Sequence, residues 1–173
     1  SYGKTSTKFI LDTILSEKYS VIATPQSYNT PLGVTRFVRE QITDAPEVFI
    51  SEMGARQKGD IAELCALVQP RYGLITSIGP QHLETFGTIE NVVQTKNELA
   101  RALPEDGMIF YPADGAFGEK LYEDHPGCKA LFGFEGANLL VRAKDVTCGP
   151  EGSTFTICFD EEEITAQTRL LGR

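Results

Sequence analysis

The chain opens with Ser1-Tyr2-Gly3-Lys4-Thr5-Ser6-Thr7-Lys8, and this stretch decides how the rest of it is interpreted. Within it, Gly3-Lys4-Thr5 matches the end of the G-x-x-x-x-G-K-[ST] phosphate-binding loop (P-loop), and an apolar helical pattern follows at once. In such a loop the glycine lets the backbone approach phosphate, the lysine reaches the β- and γ-phosphates, and the threonine hydroxyl binds Mg²⁺. The N–H groups and dipole of the following helix add to the attraction for an anion.

The first glycine of the motif would lie before Ser1. We therefore expect the sequence to begin inside a nucleotide site and to describe part of an enzyme. A truncated motif taken alone also fits an ordinary helix N-terminus with a lysine in its first turn, so the remaining sequence has to decide.

Length and composition indicate one domain, with or without a small appendage, and the cysteines discussed below favour a cytoplasmic location. The chain has 173 residues, of which 41% are hydrophobic, and a formal net charge of −8. An acidic chain without a basic stripe argues against nucleic acid as the main partner. No apolar run approaches the length of a membrane span, and the start carries no signal-peptide pattern. The four cysteines form no C-x-x-C pair, so we predict buried free thiols in a reducing cytosol at Cys65, Cys128, Cys148 and Cys158.

Strands and helices alternate up to about residue 135. The pattern predicts strands at 19–23, 48–50, 72–78 and 107–111, and helices at 9–15, 34–42, 60–68, 88–103 and 116–122. Asp60 is the expected N-cap of the third helix, and Phe9, Ile10 and Ile14 are expected on the packed side of the first. Such alternation predicts an α/β fold of the P-loop type, with a mostly parallel sheet flanked by helices.

The pattern changes after Gly136. Three strands are predicted at 139–146, 153–159 and 163–171, separated by turn residues and without helical periodicity. We predict a C-terminal antiparallel β-meander, so that 1–135 forms the α/β core and 136–173 a β-rich appendage.

Three polar residues fall where an α/β fold places its chemistry, beyond the carboxyl ends of strands. Glu52 follows the buried strand 48–50 as a candidate metal ligand, and His82 follows strand 72–78 across a Gly-Pro loop. Lys96 lies on the next helix and is placed to return toward the same site. Glu52 and Lys96 also fit ordinary solvent-facing residues.

In order and spacing, these segments resemble the central ATP-binding domain of the Mur ligases over nearly the whole chain. The matching pieces are G-K-T-S-T-K at 3–8, N-T-P-L-G at 29–33, E-M-G-A at 52–55, G-D-I at 59–61, I-G-x-x-H-L-E-x-F-G at 78–87 and K-N-E-L at 96–99. The pieces at 52–55 and 82–87 are most similar to the member that adds D-alanyl-D-alanine.

The resemblance implies an ATP-dependent amide ligase of peptidoglycan precursor synthesis. In that reaction a substrate carboxylate becomes an acyl phosphate, and an amine then displaces the phosphate. The implied substrates are ATP with Mg²⁺, UDP-MurNAc-tripeptide and D-Ala-D-Ala. Other Mur-like ligases remain open as alternatives, namely the muramoyl-dipeptide ligase, folylpolyglutamate synthase and cyanophycin synthetase, as does a non-catalytic nucleotide-binding domain.

The resemblance also implies roles for individual residues. Phosphate binding is implied for Ser1, Tyr2, Gly3, Lys4, Thr5 and Ser6; metal binding for Thr5, Glu52 and His82; catalysis for Lys4, His82 and Lys96; and contact with substrate for Asn29 or Thr30. Lys96 matches a lysine that several members carry as a carbamate. The family's flanking N-terminal substrate domain and C-terminal domain are expected to be absent, so we expect the fragment alone to be inactive.

Overall fold

The computed structural model describes residues 3–26, 28–42, 46–79 and 83–170. Its helices are α1 (Lys4–Leu15), α2 (Pro31–Gln41), α3 (Asp60–Val68), α4 (Leu83–Phe86), α5 (Ile89–Lys96), α6 (Glu98–Ala102) and α7 (Gly118–Asp124). Its strands are β1 (Val21–Ala23), β2 (Val48–Ile50), β3 (Tyr72–Leu74), β4 (Met108–Pro112), β5 (Lys129–Gly133), β6 (Leu139–Gly149), β7 (Gly152–Phe159) and β8 (Glu162–Thr168). The predicted α/β class is confirmed. No helix among the described residues is long and apolar enough to cross a membrane.

The strands form two hydrogen-bonded sheets. One contains β1 and β2 in parallel, and the other has six strands in the order β3-β4-β5-β6-β7-β8. Pairing from β3 to β6 is parallel, whereas β6, β7 and β8 pair antiparallel. The C-terminal β-meander is therefore confirmed, and its parallel contact with β5 makes it an extension of the central sheet. The division of the chain at residue 136 stays a prediction.

Two apolar clusters hold the helices against the strands. The larger lies around β4 and consists of Ile75, Ala100, Ile109, Tyr111, Ala113, Leu121 and Leu131. The smaller joins α2 to α3 and consists of Val34, Ile61, Leu64 and Cys65. Leu99 packs against both clusters, so it connects the part of the chain around β2 with the six-stranded sheet.

Several predicted boundaries were wrong. The predicted helix 88–103 is divided at Asn97, whose side-chain oxygen accepts a 2.9 Å hydrogen bond from the buried Tyr111 hydroxyl. The predicted strand 72–78 ends at Leu74, although the Ile75 N–H still donates to the Phe110 carbonyl of β4 at 3.0 Å. Strand β5 was not predicted, since only a short apolar run marks it. Asp60 is the first residue of α3 rather than its cap, and its carboxylate accepts from the N–H groups of the preceding turn.

Burial also departs from the prediction on α1 and at the cysteines. Phe9, Ile10 and Ile14 are 50%, 42% and 62% exposed, whereas the buried residue of α1 is Lys8. None of the four cysteines forms a disulfide within the described part of the chain, and Cys65 is buried as predicted. Cys128 and Cys148 are exposed, because they lie next to turns that border β5 and the β6–β7 hairpin, and Cys158 is half-buried.

Candidate functional site

The site begins at the junction between Gly3 and α1. Gly3 has a φ of 83°, a left-handed conformation that glycine adopts without steric strain, and it caps the helix. Its carbonyl accepts the N–H of Thr7 at 2.8 Å. Lys4 and Thr5 thus lie in the first helical turn, where N–H groups and the helix dipole favour an anion. Ser6 in the same turn is exposed.

Glu52 is held at the carboxyl end of β2 by the neighbouring parallel strand. Its backbone N–H donates to the Thr24 hydroxyl at 3.1 Å, and the Thr24 N–H donates to the Ile50 carbonyl at 3.0 Å. Thr24 is 1% exposed and Glu52 is 7% exposed. The two strand ends therefore fix a buried carboxylate beside the P-loop.

The two oxygens of the Glu52 carboxylate have different partners. Oε1 accepts from the Thr5 hydroxyl at 3.1 Å and, at the long distance of 3.5 Å, from Nδ2 of Asn29. Oε2 lies 3.4 Å from Nζ of Lys8, and it has no hydrogen-bond donor among the described residues. The hydroxyl and the carboxylate predicted to share a metal ion are thus in direct contact.

Asn29 and Thr30, which the sequence could not separate, occupy different positions. The Asn29 carbonyl accepts the Gly54 N–H at 2.8 Å, and its side chain faces Glu52. A Cβ on Gly54 would lie 3.0 Å from Cγ of Asn29, so glycine is needed for this close approach. Thr30 caps α2, where its hydroxyl accepts the Gly33 N–H at 3.3 Å.

Lys96, the last residue of α5, returns to the segment that follows β3. Its ammonium donates to the Ser77 carbonyl at 2.7 Å. Burial lowers the pKa of Lys96 to about 8, and the positive charge of Lys4 contributes to the shift. A Cβ on Gly3 would lie 4.0 Å from Cβ of Thr76, so this segment also adjoins the P-loop. Lys96 therefore contacts a segment that lies next to the P-loop.

Three of the predicted site residues, Ser1, Tyr2 and His82, lie outside the described residues. The described part of the site holds three lysines, Lys4, Lys8 and Lys96, against the single carboxylate Glu52. This region is therefore positively charged in a chain of net charge −8, and a positive site suits phosphate groups. The described residues contain no group of three or more His, Cys, Asp or Glu side chains that could hold a metal ion.

Sequence reasoning missed two charged residues near the site. Lys8 was assigned no role, because a lysine on a surface helix is ordinarily solvated. Glu98 accepts the N–H groups of Gly59 and Ala62 at 2.8 and 3.0 Å, so it caps α3 from another helix. The sequence shows Glu98 within the K-N-E-L motif. It does not show which groups Glu98 contacts, because they lie 36 to 39 residues away along the chain.

Comparison with known proteins agrees with this geometry. The family model for the Mur ligase middle domain matches residues 1–173. UDP-N-acetylmuramoyl-tripeptide--D-alanyl-D-alanine ligase of Bacillus subtilis (strain 168) is 31% identical over 157 residues, which is 91% of this chain and 33% of that protein. The chain thus spans about a third of the length of this relative.

Solved structures give the same result. A crystal structure of MurF from Acinetobacter baumannii superposes with a TM-score of 0.89 at 26% identity, covering 99% of this chain and 37% of that one. MurF ligase from Thermotoga maritima in complex with ADP gives a TM-score of 0.87 at 30% identity, covering 96% and 38%. The chain belongs to the Mur ligase middle-domain family.

Proposed function

We propose that this chain is the central domain of an ATP-dependent amide ligase that joins D-Ala-D-Ala to UDP-MurNAc-tripeptide. The observation that carries the proposal is the contact between the Thr5 hydroxyl and the buried Glu52 carboxylate. It brings the metal-binding end of a P-loop against an acid at a strand end, which is the arrangement that phosphoryl transfer requires. The expected cytoplasmic location stays a prediction.

Binding of ATP is proposed at the N-terminus of α1. Lys4 supplies an ammonium group in the first turn, and Gly3 leaves the backbone N–H groups open to the phosphates. The relative from T. maritima was solved with ADP, which supports nucleotide binding in this family. Ser1, Tyr2 and Ser6 remain predicted phosphate contacts.

The residues present fit a magnesium ion. Thr5 and Glu52 supply a hydroxyl and a carboxylate, the hard oxygen ligands that Mg²⁺ prefers, and Oε2 of Glu52 has an unused lone pair in a buried site. Thr5, Glu52 and, by prediction, His82 would hold the ion. When bound, Mg²⁺ would neutralise phosphate charge during transfer. Asn29 orients Glu52 through its amide.

The proposed reaction has two chemical steps. The substrate carboxylate attacks the γ-phosphorus of ATP, so that an acyl phosphate forms and ADP leaves. The amine of D-Ala-D-Ala then attacks the acyl carbon and loses a proton, and phosphate leaves as the amide forms. The chain contributes mainly position and charge: Lys4 and the N–H groups of α1 stabilise the transferring phosphoryl group.

Lys96 is the proposed site of a carbamate. Carbamylation requires the neutral amine, and the lowered pKa of Lys96 makes that form more abundant near neutral pH. The product is an anion beside the cationic Lys4. It would offer a metal ion at this site an anionic oxygen ligand.

The substrates are proposed from the relatives rather than from this chain's own contacts. The B. subtilis relative is named a UDP-N-acetylmuramoyl-tripeptide--D-alanyl-D-alanine ligase, and the chain covers only a third of it. A ligase with another acceptor, such as folylpolyglutamate, is the main alternative, because such enzymes share the resemblance at the P-loop, acid and lysine.

The proposal is tested by phosphate release from ATP in the full-length protein. UDP-MurNAc-tripeptide is supplied with and without D-Ala-D-Ala, and the wild type is compared with Lys4→Ala and Glu52→Ala. We expect release that needs both substrates and is lost in both variants. Lys120→Ala, on the exposed side of α7, is the matched control and should behave like the wild type. Release that persists in Lys4→Ala, or that ignores both substrates, would contradict the proposal.

A further inference from the structure

Lys8 is buried in a position where a helix lysine is ordinarily solvated. The side chains of Lys8 and Glu52 are 2% and 5% exposed, and Nζ lies 3.4 Å from Oε2. The same ammonium lies 4.8 Å from the centre of the Phe9 ring. The ammonium of Lys8 therefore faces a buried carboxylate rather than solvent.

The charge of Glu52 requires such a partner. Removing an ionised carboxylate from water costs several kcal/mol unless another charge or hydrogen bonds compensate for it. Oε1 has donors in Thr5 and Asn29, whereas Oε2 faces Lys8. Without Lys8, that half of the carboxylate would lose the cation that it faces.

The contact between Lys8 and Glu52 is ionic but not a hydrogen bond. Its 3.4 Å separation exceeds the roughly 2.8 Å of a charge-assisted N–H···O bond, and neither Nζ nor Oε2 has a hydrogen-bond partner among the described residues. A pair held by charge alone can exchange one cation for another without losing a directional bond. The oxygen that Lys8 faces is also the one left open for a metal ligand bond.

We propose that Lys8 is a stand-in cation, which neutralises Glu52 while no metal is bound and competes with Mg²⁺ for the same carboxylate. The inference rests on the proposed metal role of Glu52. Lys8 lies one helical turn beyond Thr5, so the P-loop helix itself carries both the metal-binding hydroxyl and the cation that precedes the metal. Lys8 is thus a positioning residue and touches no reacting atom.

The test is thermal unfolding of the full-length protein without nucleotide. Wild type, Lys8→Met, Lys8→Met/Glu52→Gln and the control Lys120→Met are compared in EDTA and across a MgCl₂ titration at constant ionic strength. In EDTA we expect Lys8→Met to unfold several degrees below wild type, and the double variant to recover most of that loss. MgCl₂ should raise the melting temperature of Lys8→Met more than that of wild type. The concentration that gives half of the effect should be lower by about tenfold or more, because the ammonium that repels Mg²⁺ has been removed. The double variant should not respond.

Two results would overturn the inference. One is an equal loss of melting temperature in Lys8→Met and in the double variant, because that would indicate an effect of packing alone. The other is a stabilisation of Lys8→Met by MgCl₂ that is no larger than the stabilisation of wild type. If Lys8→Met does not fold in EDTA, a folded double variant supports the inference and an unfolded one refutes it. A separate arm measures wild type with ADP and MgCl₂. A rise in melting temperature with ADP and MgCl₂ would support the nucleotide site even if the proposed role of Lys8 is wrong. No rise would count against the proposed function.

Discussion

The ammonium of Lys96 and the carbonyl oxygen of Ser77 lie 2.7 Å apart, which ties the end of α5 to the segment that follows β3. Burial in this position, together with the charge of Lys4, lowers the pKa of Lys96 to about 8 from the ordinary value of 10.5. The neutral amine is the form that reacts with CO₂, and this contact places a lysine with a lowered pKa beside the P-loop.

We predict that Lys96 is carbamylated in a pH-dependent manner. The neutral fraction of Lys96 rises as pH passes through about 8, whereas an ordinary lysine stays protonated there. In ¹³C-bicarbonate, NMR of the full-length protein should reveal a carbamate carbon signal that grows between about pH 7 and 9. The signal should vanish in Lys96→Ala and persist in Lys120→Ala. A signal of equal size in Lys96→Ala would assign the carbamate elsewhere.

Removal of the Thr5 hydroxyl should impair catalysis with little effect on folding. Thr5→Val keeps the shape of the side chain but removes the donor to Glu52 and the proposed metal ligand. We expect kcat/KM to fall about 100-fold, the range seen when one electrostatic contact of a transition state is lost. Thr5→Ser retains the hydroxyl and should keep most of the activity. Activity that is kept in Thr5→Val and lost in Thr5→Ser would contradict this and point to the methyl group instead.

Glu98 should stabilise the fold through the N-terminus of α3. Its carboxylate accepts from two backbone N–H groups that would otherwise be unpaired at the helix start. Glu98→Ala should lower the free energy of unfolding by about 1–3 kcal/mol in urea titrations. Glu105→Ala, an exposed carboxylate in the loop before β4, is the control and should change it little. A Glu98→Ala variant as stable as the control would show that water replaces the cap.

Gly54 should be sensitive to a single added methyl group. The new Cβ of Gly54→Ala would meet Cγ, the carbonyl oxygen and Oδ1 of Asn29 at 3.0 to 3.1 Å, so Asn29 must shift and its long contact with Glu52 is disturbed. We expect a higher Mg²⁺ requirement for phosphate release. Gly149→Ala, whose Cβ would meet nothing within 4 Å, should leave that requirement unchanged. An unchanged requirement in Gly54→Ala would mean that Asn29 does not orient Glu52.

Much of the fold was predictable because local patterns carried it. The alternation of apolar strands and capped helices, such as the one capped by Thr88, identified the α/β class, and loss of the helical period after Gly136 indicated the meander. Strand β5 was not predicted from the sequence, because its burial depends on the neighbouring strands β4 and β6 rather than on its own five residues. The break at Asn97 likewise depends on Tyr111, a residue distant in sequence.

The site was predictable for those motif residues whose positions follow from the strand or helix that they border. Glu52 follows a buried strand and Thr5 follows a glycine, so both positions came from the sequence, and their contact followed. The burial of Lys8 could not be predicted, since the apolar stripe of α1 suggested a different packed face. Phe9, Ile10 and Ile14 on that stripe remain exposed, whereas Lys8 is buried on the face that meets Glu52.

The most direct test of the proposed activity is the identity of the product. The full-length protein is incubated with MgATP, UDP-MurNAc-tripeptide and equal amounts of D-Ala-D-Ala, L-glutamate and a diamino acid, and the products are resolved by mass spectrometry. The proposal predicts one new species, UDP-MurNAc-pentapeptide, formed together with ADP and phosphate and absent in Lys4→Ala. A product that carries glutamate or the diamino acid, or no ligated product while Mg²⁺-dependent ADP binding is intact, would contradict it.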